Sequence, residues 1–329
     1  MTLSQTPNTY SLVADIGGTN TRVALAEGPI LLPETIKKFR NSEYPGLETV
    51  LRAYLSEMGN LDCSAASVAI AGPVREGRGT LTNLDWTIDE DTLARASHAE
   101  TVAVLNDLEA QGHALGRLPN ESLRVVIDGP SPADGAAQLV IGVGTGFNVA
   151  PVHYVGERRL VAPAEAGHAN LPIRTEAELR LCRYVETAHG FPAVEDVLSG
   201  RGLERLYAFL GHEASDPKEA KASEIMALRA EGDQRAVEAA RLFVRMLGTV
   251  AGNQALIHLP FGGVYLAGGV ARAFAPHLIE YGFSDMFRDK GRFAGFMQNF
   301  SVRVIEDDFA ALTGSAAHLA RIAAAARPV

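Results

Sequence analysis

Asn106 and Asp107 put an amide and a carboxylate side by side at the end of the apolar run Val102–Leu105. In α/β sheets ligands gather at the carboxyl ends of strands. A carboxylate placed there could take the proton from a substrate hydroxyl as it attacks phosphorus, while both side chains hold neighbouring hydroxyls. The same pair could equally be an Asx cap on the helix that follows. A second polar cluster lies in AEAGHANLP, where Glu165 and His168 stand three residues apart around Gly167 and could converge on one polyol. A metal site there lacks a third ligand, and a plain surface loop is the alternative. Glu195, in VEDVLSG, could join such a set or lie on a helix surface, with Ser199 and Gly200 reading as a helix end.

Three glycine-rich turns supply the complementary chemistry. In DIGGTNTR, Asp15 ends a strand beside Gly17 and Gly18, followed by Thr19 and Asn20. Backbone N–H groups exposed by missing side chains suit a phosphate, and Asp15 could hold a water of its Mg²⁺ without touching the metal. The competing reading is a β-turn that needs Gly-Gly for positive φ. Gly144, Thr145 and Gly146 form a second concavity, with the Thr145 hydroxyl as an extra donor. Gly268 and Gly269, after the run Val264–Ala267, could let a flat ring such as adenine approach the backbone, although one such pair alone also fits tight packing. Three such turns in one chain favour a nucleotide.

The elements that position these groups read as mixed α/β. Leu12–Ala26 is strand, glycine turn, strand, and Gln138–Val152 repeats that pattern. SVAIAGPV and TVAVLNDL are short buried strands, the second running into a helix through Leu108, Gln111 and Leu115. From Glu176 to Leu256 the spacing is helical, as in Ala236, Ala240, Phe243, Leu247 and Val250; Gly211–Ser223 is the least ordered stretch by composition. Strand character returns at Gly263–Ala267, and Thr313–Ala325 is an Ala-rich helix.

The 329 residues, 47% of them apolar, exceed what one core usually serves, so two domains are expected. A net charge of −9 without long single-sign runs argues against nucleic acid and anionic membranes as partners. No apolar stretch reaches the ~20 residues of a membrane span and the N-terminus lacks a leader pattern, which points to the cytoplasm. Cys63 and Cys182 are the only cysteines, so neither a disulfide scaffold nor structural zinc is expected.

In order, DIGGTNTR, LNDLEA, GVGTGF, EAGHANLP, VEDVLSGRGL and GGVYLAGG resemble the motifs of bacterial glucokinases lacking the Cys-rich zinc motif, from Val13 to about Leu319. TNLDW around Asn83 and Trp86, and DKGRF around Lys290 and Phe293, extend the likeness. The resemblance implies a two-domain actin-like ATPase fold, ribonuclease H-like, with the active site in the interdomain cleft. We place residues 8–117 with 306–329 in a small domain and 118–305 in a larger one. It further implies ATP with Mg²⁺ as phosphoryl donor, glucose as acceptor at its 6-hydroxyl, and a homodimer. Asn106, Asp107, Glu165, His168 and Glu195 match glucose-binding positions, with Asp107 matching the base; Asp15–Asn20 and Gly144–Gly146 match the phosphate loops.

The chain departs from that pattern at Asn148, where the second phosphate loop usually ends in another glycine and a side chain could crowd the nucleotide or add a donor. It also has Leu108 where an aromatic is frequent, and Gly112-His113 where small apolar residues are usual. A kinase for another hexose or an amino sugar, and a non-catalytic sugar sensor, are the alternatives. A repressor is not expected, since about ten residues before the first strand cannot hold a helix-turn-helix.

Overall fold

A computed structural model describes residues 9–81, 84, 86–156 and 158–325. Asn83 of the TNLDW motif lies outside them. The chain divides into two compact units, Met1–Pro119 with Asp307–Val329, and Asn120–Glu306.

The first unit is built on a sheet of β1 (Tyr10–Ile16), β2 (Asn20–Glu27), β3 (Ile30–Leu31), β4 (Lys37–Arg40), β5 (Cys63–Ile70) and, after further elements, Thr101–Asn106. Between them come α1 (Leu47–Glu57), a small sheet of β6 (Val74–Arg75), β7 (Arg78–Thr80) and β8 (Thr87–Asp89), and α2 (Glu90–Ser97). The sixth strand is β9 (Thr101–Asn106), and α3 (Asp107–Ala114) follows it directly. β1 and β2 form the antiparallel hairpin, while β1, β5 and β9 run parallel, so Asp15 pairs with Ala69 and Ile70 with Asn106. That register sets Asp15 and Asn106 at the carboxyl ends of strands separated only by β5. The small sheet left no clear mark in the sequence because its strands are two or three residues long.

The second unit holds β10 (Leu123–Ile127), β11 (Gln138–Val143), β12 (Phe147–Val155), β13 (Arg158–Val161), α4 (Glu176–His189), α5 (Gly200–Glu213), α6 (Ala222–Ala230), α7 (Gln234–His258), β14 (Val264–Ala267), α8 (Gly269–Phe274), α9 (Phe283–Arg288) and β15 (Val302–Ile305). Its sheet order is β10-β15-β14-β11-β12-β13, with β11 and β12 antiparallel and β11, β14 and β15 parallel. Leu139, Ile141, Val143, Leu266 and Val304 pack on one face with Phe243, Leu247 and Val250 of α7, which accounts for the three-and-four spacing of that helix.

The chain then returns to the first unit as α10 (Ala310–Ala325). Leu312, Ala316 and Leu319 of α10 cover Val13, Ala24, Ala65 and Ala103 on one face of the first sheet. α10 also lies hard against α3: a Cβ at Gly314 would stand 1.7 Å from Ala110 O, so only glycine lets the two backbones approach this closely. His318 Nδ1 and His113 Nε2 meet 3.0 Å apart in the same seam. α3, which begins at Asp107, is thereby held from behind by the last helix.

Candidate active site

In the first unit the site starts from one cap. Asn106 is the N-cap of α3: its Oδ1 accepts from Leu108 N at 3.0 Å, and its Nδ2 donates to Gly72 O at 2.9 Å. The Asx cap and the functional reading of this pair are therefore compatible, because capping by Asn106 leaves Asp107 in the first helical turn. Asp107 accepts from Leu108 N at 2.9 Å through Oδ1. A helix N-terminus and such a bond pull its pKa down, but burial and then the negative charge of Asp15 outweigh them, and Asp107 is pushed up to about 7. Asp15 is itself pushed up by burial, against an opposing ion pair in which Arg22 NH1 lies 3.2 Å from its Oδ2. Two carboxylates thus share one half-buried strand-end region.

The turn between β1 and β2 closes through Gly17 N donating to Asn20 O at 3.0 Å. Gly17 and Gly18 are absent from the glycines with positive φ, so left-handed backbone is not the reason for Gly-Gly here. Among the described residues no protein acceptor takes the N–H of Gly18 or Thr19, and both residues are exposed. Sequence reasoning missed Asn41, whose buried amide pins this turn. Its Nδ2 donates to Gly17 O at 2.8 Å, its Oδ1 accepts from Thr21 Oγ1 at 2.8 Å, and its N–H donates to Thr19 O at 2.9 Å. An isolated Asn twenty residues downstream carries no local signal of that role.

In the second unit the turn Gly144–Gly146 joins β11 to β12, with Gly144 N donating to Gly146 O at 2.9 Å. A Cβ on Gly144 would meet nothing within 4 Å and its φ is not left-handed, so neither packing nor backbone demands glycine there. Among the described residues the N–H groups of Thr145 and Gly146 have no protein acceptor either. Gly268 differs: its φ is +99°, and a Cβ would lie 2.5 Å from Val143 O. That glycine seats the start of α8 against the end of β11, beside the turn, while Gly269 is open.

Glu195 and the Glu165–His168 segment close on the same turn. Glu195 Oε2 accepts from Phe147 N at 3.0 Å and reaches it only because residue 146 has no Cβ, which would lie 2.4 Å away. Glu195 N donates to Gly167 O at 2.9 Å, and a Cβ at Gly167 would stand 2.0 Å from Phe147 O. Glu165 and His168 are both exposed, with His168 Nε2 3.9 Å from Glu165 Oε2. The reading of Ser199 and Gly200 as closing a helix that carries Glu195 is corrected: residues 194–198 are turn and bend, and Ser199 caps the start of α5 by accepting from Gly202 N at 3.0 Å. Gly200 N donates to Gly144 O at 2.9 Å, so the first turn of α5 also abuts the glycine loop.

The side chain of Asn148, two residues past that loop, is committed to protein partners in the 164–166 segment. Among the described residues no group of three or more His, Cys, Asp or Glu could hold a metal, and no helix is long and apolar enough to cross a membrane.

The glucokinase family profile matches residues 12–322. A glucokinase of Erwinia tasmaniensis is 34% identical over 94% of this chain and 97% of its own. The chain belongs to the glucokinase family. As a member it is an ATP-dependent hexose kinase. The glucokinase structure from an Antarctic psychrotroph, 28% identical, superposes with a TM-score of 0.85 over 95% of this chain and 99% of that one, which establishes the actin-like ATPase fold. A Balamuthia mandrillaris glucokinase solved with glucose, at 22% identity, covers 95% of this chain and 94% of its own with a TM-score of 0.79. Within the glucokinase fold, Asp15, Gly17–Asn20, Asn106 and Asp107 come together in the first unit. Gly144–Gly146, Glu165, His168, Glu195, Gly268 and Gly269 come together in the second.

Proposed function

We propose that the protein is a glucokinase in the strict sense, transferring the γ-phosphoryl group of Mg-ATP to the 6-hydroxyl of glucose to give glucose 6-phosphate. The placement of Asp107 carries this reading: a carboxylate at a strand end, raised to about 7, can accept a hydroxyl proton near neutral pH. Asn106 and Asp107 hold sugar hydroxyls from the first unit. Glu165, His168 and Glu195 supply the hydroxyl partners of the second, Glu195 keeping one oxygen on Phe147 N–H. The open N–H groups of Gly18, Thr19, Thr145 and Gly146 are the donors for phosphate oxygens, and the open space at Gly269 admits the adenine, while the glycine at 268 is required by the backbone against Val143.

Asp15, buried beside the first glycine turn, fits a role on a metal-bound water. Mg²⁺ neutralises phosphate charge when bound, and Arg22 keeps Asp15 oriented through their ion pair. Low turnover without sugar is expected, since sugar hydroxyls complete the set of groups around the base. A cytoplasmic homodimer is the form we propose, from family membership together with the charge balance.

A coupled assay of ADP release from Mg-ATP with glucose, fructose, mannose, galactose, N-acetylglucosamine or no sugar tests the proposal. Strong turnover confined to glucose is the expected result. A preference for another sugar would reassign the substrate, and binding of sugar without turnover would leave only a sensor.

A further inference from the structure

Asn148 sits at the start of β12, opposite Gly142 in the β11–β12 register. Every polar atom of its side chain is engaged, and nearly all of that engagement is with one short segment. Oδ1 accepts from Ala166 N at 3.0 Å and from its neighbour Val149 N at 2.8 Å. Nδ2 donates to Ala164 O and faces Glu165 Oε2 at 3.4 Å. The amide therefore grips the backbone immediately before and immediately after Glu165, and touches the carboxylate between.

From this geometry we infer that Asn148 is a positioning residue of the sugar site, setting the orientation of Glu165 and, through the 164–166 backbone, the turn that carries His168. The inference rests on the assignment of Glu165 and His168 to sugar hydroxyls. Glu165 and His168 are exposed, so little packing fixes them. A rigid amide on a strand supplies the constraint that the exposed turn does not make for itself. Without it, Ala164 C=O and Ala166 N–H lose these partners, and Glu165 is free to sample rotamers away from its ligand. The side chain is turned toward the sugar-binding groups of the second unit, so a change at 148 acts on sugar affinity and leaves nucleotide affinity alone.

The test measures KM for glucose and for Mg-ATP in Asn148→Gly, Glu165→Gln and the double variant, with thermal melting as the control for folding. Asn148→Gly is expected to raise the glucose KM about tenfold, the scale of a lost hydrogen bond to a charged group and its supporting contacts, with the ATP KM within about twofold of the parent. In the Glu165→Gln background the same change is expected to add less than about threefold, because the carboxylate it positions is already gone. Asn148→Asp keeps the acceptor for Ala166 N–H but sets an anion beside Glu165, and its glucose KM should exceed that of Asn148→Gly. Asn148→Ser serves if the glycine variant does not fold. A folded variant with unchanged glucose KM, or with only its ATP KM raised, overturns the inference while leaving the site intact. If Glu165→Gln itself leaves the glucose KM unchanged, the sugar-site assignment fails and the inference with it.

Discussion

The glycine-turn hairpins of the two sheets, β1–β2 and β11–β12, share a plan and differ in what they do with it. Each joins antiparallel strands through a glycine turn, and each hairpin's first strand then runs parallel to two later strands, β5 and β9 in one unit, β14 and β15 in the other. At matching places the first has Asp15 opposite Arg22, and the second has Gly142 opposite Asn148. The first unit half-buries its carboxylates and raises them, whereas the second leaves Glu165 and His168 exposed. Burial is what suits a carboxylate to proton transfer near neutral pH; exposure suits it to hydrogen-bonding a ligand that arrives with its own water shell. One topology thus presents a raised carboxylate in one unit and an exposed glutamate and histidine in the other, the pair of settings on which the proposed roles of base and sugar-binding surface rest.

The sharpest way to break this contrast is at Asp107, the proposed base. Asp107→Asn should lower kcat about a hundredfold or more with glucose affinity largely retained, read by steady-state kinetics and glucose binding. The companion effect has the opposite sign. Asp107 binds protons more tightly folded than unfolded, so it costs stability as pH rises from its ordinary 3.8 through about 7. At pH 8, then, Asp107→Asn should melt higher than the parent by several degrees, a cost of function that the buried site carries.

Next in size are the glycines. Gly144→Ala should keep the parent melting temperature, since its Cβ meets no atom, and raise the ATP KM about tenfold by crowding the phosphate oxygens. Gly268→Ala, forced to φ +99° and 2.5 Å from Val143 O, should instead lose about 2 kcal/mol or more in denaturant unfolding. Equal behaviour of the two variants would erase the distinction between a glycine kept for a ligand and one kept for the backbone.

The pH dependence gives a finer test. Activity should fall as pH drops through about 7, because Asp107 must be ionised to accept a proton. Asp15→Asn removes the neighbouring charge and should move that acid limb to lower pH. The limb should stay well above 3.8, because burial, the larger cause, remains. Smallest is Asn41→Ala, which strips partners from Gly17 O and Thr21 Oγ1 in the first hairpin. It should cost about 1–3 kcal/mol in unfolding and raise the ATP KM a few-fold with little change for glucose.

Much of this was legible in the chain. The β1–β2 and β11–β12 hairpins followed from glycine turns between apolar runs, and α7 from its spacing, because local pattern and burial agree there. The placement of Asp107 after an apolar strand was legible for the same reason. What was not legible depends on partners distant in sequence. Asn41 acts on a turn twenty residues earlier, Glu195 on Phe147 N–H, and Asn148 on the backbone around Glu165. Nor does the sequence reveal that Gly17 and Gly18 have ordinary φ, since a Gly-Gly turn looks the same whether it serves the backbone or a ligand.

The path of the chain through the first unit has a consequence for how the protein is made. The sheet bearing Asp15 and Asp107 is synthesised early, but the helix that covers Val13, Ala24, Ala65 and Ala103, and backs α3 at Gly314, is synthesised only after all of the second unit. Burying Leu312 and Leu319 contributes roughly 1.5–3 kcal/mol each, and that stabilisation is absent from the growing chain until α10 leaves the ribosome. The order expected for this chain is therefore the opposite of the usual one, in which the leading domain folds first. The second unit, contiguous in the chain, can mature while its predecessor waits with an apolar sheet face uncovered, so Asp107 is expected to be among the last groups of the nascent protein to reach its final surroundings.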